Sequence, residues 1–506
     1  MKSALISLFK IAIALTILTL FYTGIALTES INSDSASMFL QSLDVSKGNI
    51  FLHGWSLSTV SFYVTEIIPH AIAITIFGFN SIIMYWVTGL LYAILVILAF
   101  RMIKERSGVS IAILSLSIML VPGLTLKNSV LVAAIHVGSY ILTLLSFILS
   151  EKLIYAQKHK NLIFSMLCVT LSLSLLSDTL CIFMEFIPLI IAATINLFYK
   201  KEKSYCYIIA ACVLSVVIKK LITLFIGYID GFYVPGSPSA EFSQFDDIGN
   251  RIYLLVTGTI NLFNAHIFGE HVIRLHSFSL EIHFFVMLSV LGLFIIQTIK
   301  SIINKKIYLI NLTLQIAITT IVMAYIFSTM AVGPHTVRYL IPAMLFTLIY
   351  VGRNIHIKNK NLKILALIAG IFICTSNFSK ISTKIPDNDL AIFLEKNELS
   401  CGYSTFWLSS ATTVASNNKI QLIPVNYDKE NIGELNWLSN KSWYKMNTNF
   451  IVTSKDNTIL INAIAKQYGT PQKTLLFNSN IVYIWDKDLS KDLKEKDFFK
   501  EQNLSY

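Results

Sequence analysis

An all-α, polytopic membrane bundle with interfacial helices and a small C-terminal α/β extracytoplasmic domain is the fold class this sequence predicts. Three observations predict it. Over 506 residues, 55% are hydrophobic and 14% charged, against the roughly 25% charge of soluble domains, and the mean hydropathy is +0.65. Apolar runs near the ~20 residues that cross a bilayer recur along the chain. The last ~125 residues are polar and alternate strand-like with helix-like runs.

The apolar runs predict about eleven spans, over 11–27, 71–100, 109–121, 129–150, 162–177, 179–198, 205–225, 278–298, 307–330, 339–351 and 363–378. No small-residue cleavage site follows the first run, so it reads as a retained span and not a removed signal. Alternate loops differ in base. One set holds Arg101, Lys104 and Arg106; Lys152, Lys158 and Lys160; Lys200, Lys201 and Lys203; Lys300, Lys305 and Lys306; Arg353, Lys358 and Lys360. The other set is poor in base, with Lys47, Lys127, Arg251, Arg274 and Arg338. The positive-inside rule places the rich set and the N-terminus in the cytoplasm. With an odd number of spans, 379–506 then lies outside.

Two domains follow: a transmembrane domain over 1–378, with outer loops 28–70 and 227–277, and a C-terminal α/β domain over 379–506. In the latter, strand-like runs cover 420–425, 450–453 and 481–485, and helix-like runs cover 389–397 and 458–467. The net charge of +11 arises from bases between apolar segments, so nucleic acid is not an expected partner. Cys168, Cys181, Cys206, Cys212, Cys374 and Cys401 show neither metal spacing nor a disulfide framework. No cofactor is expected; a divalent metal is compatible with the chain but not implied by it.

The first outer loop has internal order. Ala36, Phe39, Leu40 and Leu43 follow the spacing of one helix face. Ser33 stands where an N-cap belongs, and Gly48 follows Lys47 as a helix stop. Asp34 then falls in the first helical turn. Leu57, Val60, Val64 and Ile67 predict a second amphipathic helix, and Trp55, Phe62 and Tyr63 suit the headgroup layer. The second outer loop holds a turn-rich piece, GFYVPGSPSAEF, and an amphipathic run over 252–268.

Charged groups at the outer ends of spans carry the functional reading. Asp34, Asp44 and Glu66 lie in the first loop. Asp178 stands in LLSDTL between two spans, with Glu185 deeper. Lys219 and Lys220 interrupt a span near its outer end, and His335 and Arg338 stand in GPHTVRYLIP. Acids and bases at one membrane face suit an anionic, membrane-held substrate: carboxylates handle a hydroxyl proton, cations hold a phosphate. Each has an ordinary reading too. Asp34 is a dipole-favoured first-turn acid, Asp178 a helix cap, Glu66 a solvated rim acid, and Arg338 an interfacial anchor. Lys219 and Lys220 point about 100° apart, so one at most faces a cavity while the other snorkels. His136 and His335 suit a phosphate or sugar, or plain packing. His53 and Trp55 suit a sugar, as do Tyr403 and Trp407 in GYSTFWLSSATTVAS. Interfacial Trp and a strand-turn-helix core explain the same residues.

The pieces DSASMFLQSLDVSKGNIFLHGWSLS, SDTLCIFMEFIP, GPHTVRYLIP and GYSTFWLSSATTVAS, in that order, resemble the GT-C superfamily of integral-membrane glycosyltransferases, which use polyprenyl-phosphate sugar donors. Size, basic character and Lys/Asn/Ile richness are similar to phage-borne serotype-converting O-antigen glucosyltransferases. The resemblance implies an inverting hexosyltransferase, moving glucose to an O-antigen or similar glycan at the periplasmic face of a bacterial inner membrane. Its partners are then the polyprenyl-phosphate sugar donor, a glycolipid or polysaccharide acceptor, and membrane lipids. It implies Asp34 as general base, Glu66 or Asp178 as a second acid, and Arg338 as the phosphate clamp, with Lys219, Lys220 and His335 beside it. Trp55, His53, Tyr403 and Trp407 would meet acceptor sugar. The adjacent acidic pair of many relatives is absent, since serines flank Asp34. A Gly-rich nucleotide loop is also absent. The alternatives are a lipid-linked sugar flippase, which would show paired broken helices, or an O-antigen polymerase or ligase.

Overall fold

The computed structural model describes residues 2–235, 241–271, 275–305, 308–377 and 380–494. Arg274, Lys306, residues 236–240 of the turn-rich piece, and the boundary at 378–379 lie outside the described residues.

In chain order the helices are α1 Lys2–Ala26, α2 Ser33–Ser46, α3 Ile68–Phe77, α4 Ser81–Ser107, α5 Val109–Leu120, α6 Leu124–Val130, α7 Val137–Tyr155, α8 Lys160–Ser177, α9 Ile187–Lys200, α10 Ser204–Tyr228, α11 Ile248–Leu262, α12 Leu275–Ile303, α13 Leu309–Phe327, α14 Ile341–Asn354, α15 Lys360–Ser376, α16 Asp389–Lys396, α17 Phe406–Ala415 and α18 Thr458–Tyr468. The strands are β1 Trp55–Ser56, β2 Cys401–Ser404, β3 Gln421–Tyr427, β4 Ile432–Glu434, β5 Ser439–Asn440, β6 Phe450–Ser454, β7 Lys473–Phe477 and β8 Asn480–Ile484. Tyr63–Ile67 and Ile182–Phe186 are π-helical turns that lead into α3 and α9.

The chain is a multi-pass membrane protein. Among the described residues, nine segments are long and apolar enough to cross a bilayer, in α1, α4, α7, α8, Ile182–Lys200, α10, α12, α13 and Pro334–Asn354. The expected span 109–121 is α5, which bends by 83° into α6. The expected span 363–378 is α15, of 17 residues. These two short helices pack on each other with no room to spare: a Cβ on Gly370 would meet the Leu114 Cα at 3.0 Å. The expected span 71–100 is not one helix. α3 stops at Gly78, whose φ of +82° favours glycine, and α4 starts afresh at Ser81.

Two compact units make up the chain. Unit one comprises Met1–Ile25, Gly89–Leu221 and Pro238–Ile381. Its helix packing uses small residues, as lipid-embedded helices do: a Cβ on Gly89 would meet Thr23 Oγ1 at 2.6 Å. Its basic helix ends gather together. Glu151 Oε1 accepts from Arg106 Nη2 at 3.0 Å and from Arg353 Nη2 at 3.1 Å. Arg353 Nη1 also donates to the Met102 carbonyl at 3.0 Å. α11 is the amphipathic run of the second outer loop. Its buried Arg251 donates to the carbonyls of Ser328 and Ala331 and so braces the chain ahead of Pro334.

Unit two comprises Ala26–Thr88, Ile222–Ser237 and Ser382–Tyr506. Its six-stranded sheet has the order β4-β3-β2-β6-β8-β7. β2 pairs parallel with β3 and β6; the outer pairings are antiparallel. Side-chain alternation covers both faces. Tyr403, Ile423 and Ile451 join Leu460 and Ile464 of α18 on one face. Leu422, Phe450 and Val452 join Leu390 and Leu394 of α16 on the other. Gly402 is required by this packing, since a Cβ there would meet the Phe450 ring at 2.5 Å. The two-stranded β1-β5 pairing and the buried Ser37–Ser410 hydrogen bond of 2.8 Å, between α2 and α17, tie the first loop to the sheet domain.

Candidate functional site

In unit one, Asp178 ends α8 and is buried at 1% exposure. Its Oδ1 accepts from the Leu180 N–H at 2.9 Å, the helix-cap role. Its Oδ2 lies 2.6 Å from Nδ1 of His136, the residue before α7 and itself buried. The two are 42 positions apart in the chain, so local pattern could not show the pair. A carboxylate so placed fixes the tautomer and orientation of an imidazole.

The Tyr339 ring centroid lies 6.1 Å from that of His136. Arg338, in the 3₁₀ turn Pro334–Leu340, lays its guanidinium 5.2 Å from the Tyr339 ring centroid and donates from Nη2 to Tyr339 Oη at 3.3 Å. Arg338 Nε is buried and finds no acceptor among the described residues, so part of its donor fork is uncommitted. Leu180 and Tyr339, chain neighbours of this cluster, also line an apolar cleft with Phe183, Met184, Tyr325 and Pro342. His136 and Glu151 stand 15 residues apart along α7, about 22 Å. The cluster and the Arg106–Glu151–Arg353 network therefore mark opposite ends of the bundle.

Glu185 is fully buried in the second π turn. It accepts from the Ser174 hydroxyl, and Thr143, Ser146 and Cys181 stand around it. Lys219 is half-buried and Lys220 exposed on α10; neither lines the cleft. His335 is exposed beside Gly333.

In unit two, Asp34 lies half-buried in the first turn of α2. The cap of that helix is Asn32, one residue earlier than the expected Ser33; its side chain accepts from Ser35 N–H at 2.8 Å, and the longer amide reach suits that role. The expected second amphipathic helix starts late. Leu57 is not helical, its N–H donating to the Tyr233 carbonyl at 2.8 Å, and helical winding begins only at Tyr63. Glu66 is 2% exposed and not on a solvated rim. Trp55, Phe62 and Tyr63 are packed inside the unit instead of lying in a headgroup layer.

Trp55 donates from Nε1 to Asp44 Oδ2 at 2.7 Å and meets the Trp443 ring edge-on at 4.9 Å. His53 is exposed, its Nδ1 2.7 Å from the Asp230 carbonyl. Tyr403 is fully buried in β2, and burial pushes its hydroxyl up to about 12. Trp407 is 65% exposed on α17. Within the unit the structure thus joins Asp44 to Trp55, and the helix of Asp34 to that of Trp407. Tyr403 faces the core, not solvent. Among the described residues no group of three or more His, Cys, Asp and Glu side chains could hold a metal.

No family model matches this sequence, and no curated protein matches it. A search of solved structures finds a likeness to the oligosaccharyltransferase of Archaeoglobus fulgidus, determined with a tethered acceptor peptide carrying an NVT sequon. The TM-score is 0.47 and the identity 10%, over 91% of this chain and 71% of the other.

Proposed function

We propose that this chain is an inverting membrane glycosyltransferase that moves a hexose, glucose by resemblance, from a polyprenyl-phosphate donor to a surface glycan such as O-antigen. The observation that supports it is the unit-one cluster: a partly uncommitted Arg338 and an Asp178-oriented His136 beside an apolar cleft. A donor with an anionic phosphate head needs such hydrogen-bond donors. The basic end of the bundle is assigned to the cytoplasm of a bacterial inner membrane, and the Arg338 end to the periplasm.

In this reading Asp34 takes the acceptor hydroxyl proton. The hydroxyl oxygen bonds to the anomeric carbon from the face opposite the phosphate, and the carbon–phosphate oxygen bond breaks. The phosphate leaves with that electron pair, held by the Arg338 fork. His136 is proposed as a second phosphate donor, positioned by Asp178. Glu66 is proposed as a supporting acid, and Lys219, Lys220 and His335 as flanking charge; Trp55, His53, Tyr403 and Trp407 are proposed on the acceptor side.

Purified protein in detergent, given polyprenyl-phosphate glucose and an acceptor glycolipid, tests it. Transfer should occur without a bilayer, and Asp34→Asn should lower the rate by about 10²–10⁴-fold. Transfer at full rate by Asp34→Asn removes Asp34 from the role; no transfer by the wild type removes the donor assignment.

A further inference from the structure

Unit two holds a second cavity, of about 550 Å³, inside the range of roughly 300–1,000 Å³ typical of small-ligand sites. It lies between the C-terminal end of α2 with its following turn and the β5 region of the sheet domain. Three of its lining residues are Lys47, Lys441 and Lys445, and among the described residues none of these makes an ion pair. The cavity has one acid, Asp44, and that acid is occupied. Its Oδ2 accepts from Trp55 Nε1 and Asn49 Nδ2, both at 2.7 Å. Three lysines against one aspartate leave the described lining with a net positive charge.

The rest of the lining has the chemistry of polyol recognition. Trp443 is partly exposed, and Trp55, itself tied to Asp44, holds it edge-on. Gln421 Nε2 is buried and finds no acceptor among the described residues, at a cost that an incoming hydroxyl or carboxylate would relieve. Asn440 is fixed by its bond from the Ser442 N–H at 2.8 Å. At Gly54 (φ +81°) a Cβ would come within 3.1 Å of Asn440 Oδ1, so the rim is built around a bare backbone. An aromatic surface, amides and hydroxyls suit a sugar ring; three unpaired ammonium groups suit carboxylate or phosphate on it.

We propose that this cavity binds an anionic saccharide. The site is built from unit-two residues alone and needs no reacting group.

The test is binding to full-length protein in detergent, read by tryptophan fluorescence and calorimetry. The probes are tetragalacturonate as the anionic saccharide, maltotetraose as its neutral counterpart, and inorganic phosphate. Tetragalacturonate should bind and perturb the fluorescence, with affinity falling as sodium chloride is added. Lys441→Glu with Lys445→Glu should weaken it by about tenfold or more, and Trp443→Ala should remove most of the signal. Equal binding of maltotetraose, or affinity unchanged by salt, overturns the anionic part. Inorganic phosphate displacing tetragalacturonate while binding as tightly by itself overturns the saccharide part and leaves a simple anion site. If the double variant is unfolded by its melting curve, Lys47→Gln and the salt series decide alone; no effect from either overturns the site. Binding is read without transfer, so a chain that binds but does not transfer sinks only the glycosyltransferase reading, and one that transfers but does not bind sinks only this cavity.

Discussion

His136 Nδ1 and Asp178 Oδ2 stand 2.6 Å apart, both buried, one before α7 and the other at the end of α8. Removing one partner of a buried hydrogen bond costs about 1–3 kcal/mol. Asp178→Ala and His136→Ala are each expected to lower the melting temperature in detergent. The double variant should lose much less than the sum, because the two share one interaction. Additive losses in that cycle would show two independent roles.

Arg338 differs from a lysine by its planar fork. Arg338→Lys is expected to raise the apparent KM for a polyprenyl-phosphate donor by about tenfold, and Arg338→Ala by more. Michaelis curves at fixed acceptor check this. A donor KM unmoved in Arg338→Ala would place the phosphate elsewhere.

Gly402 carries no side chain because the Phe450 ring fills the space a Cβ would take. Gly402→Ala should cost about 1–3 kcal/mol through overpacking, and Phe450→Leu in the same chain should return part of it. Thermal unfolding followed by circular dichroism measures both. A destabilised single variant with no recovery would mean that backbone freedom, not the ring, sets the requirement.

Asp488 supplies a pH dependence. Partial burial disfavours its charged form, but N–H donation from Ser490 at 3.0 Å and Thr448 at 3.2 Å outweighs this and holds its carboxyl below the usual range. A depressed folded value gives stability that is present above the ordinary carboxylate range, near 3.9, and is lost as pH falls through the folded value. Wild type should exceed Asp488→Asn in melting temperature near neutral pH, and the gap should close in acid. A gap that widens in acid would reverse the sign and sink the assignment.

Long-period features were legible in the sequence because hydropathy and charge act over whole helices. α16, α18, β3, β6 and β8 begin within a residue of their expected starts. β2 was not legible. Cys-Gly-Tyr-Ser has weak strand propensity, and its extended form comes from β3 on one side and β6 on the other. The break at Gly78 was hidden inside a continuous apolar run. At the site, the capping side of Asp178 was readable from its place at a helix junction. Its partnership with His136 was not, because only the packing of α7 on α8 creates it. Nothing in the local sequence sets the lysines at 441 and 445 beside Lys47; only the fold does.

The two π turns share a layout. In each, a glutamate lies three residues before a proline that opens the next helix: Glu66 and Pro69, Glu185 and Pro188. In a regular helix each proline ring would strike the carbonyl four residues back, on Thr65 or Met184. The wide turn holds an extra residue and swings that carbonyl aside. Everything before it is thereby rotated by about 100° relative to an unbroken helix. The prolines thus set the compass bearing of two buried acids. Pro188→Ala should let the turn close and carry Glu185 away from Ser174, moving the infrared carboxyl band that Glu185→Gln identifies. A band that stays put would mean neighbouring helices, not the proline, hold the turn open.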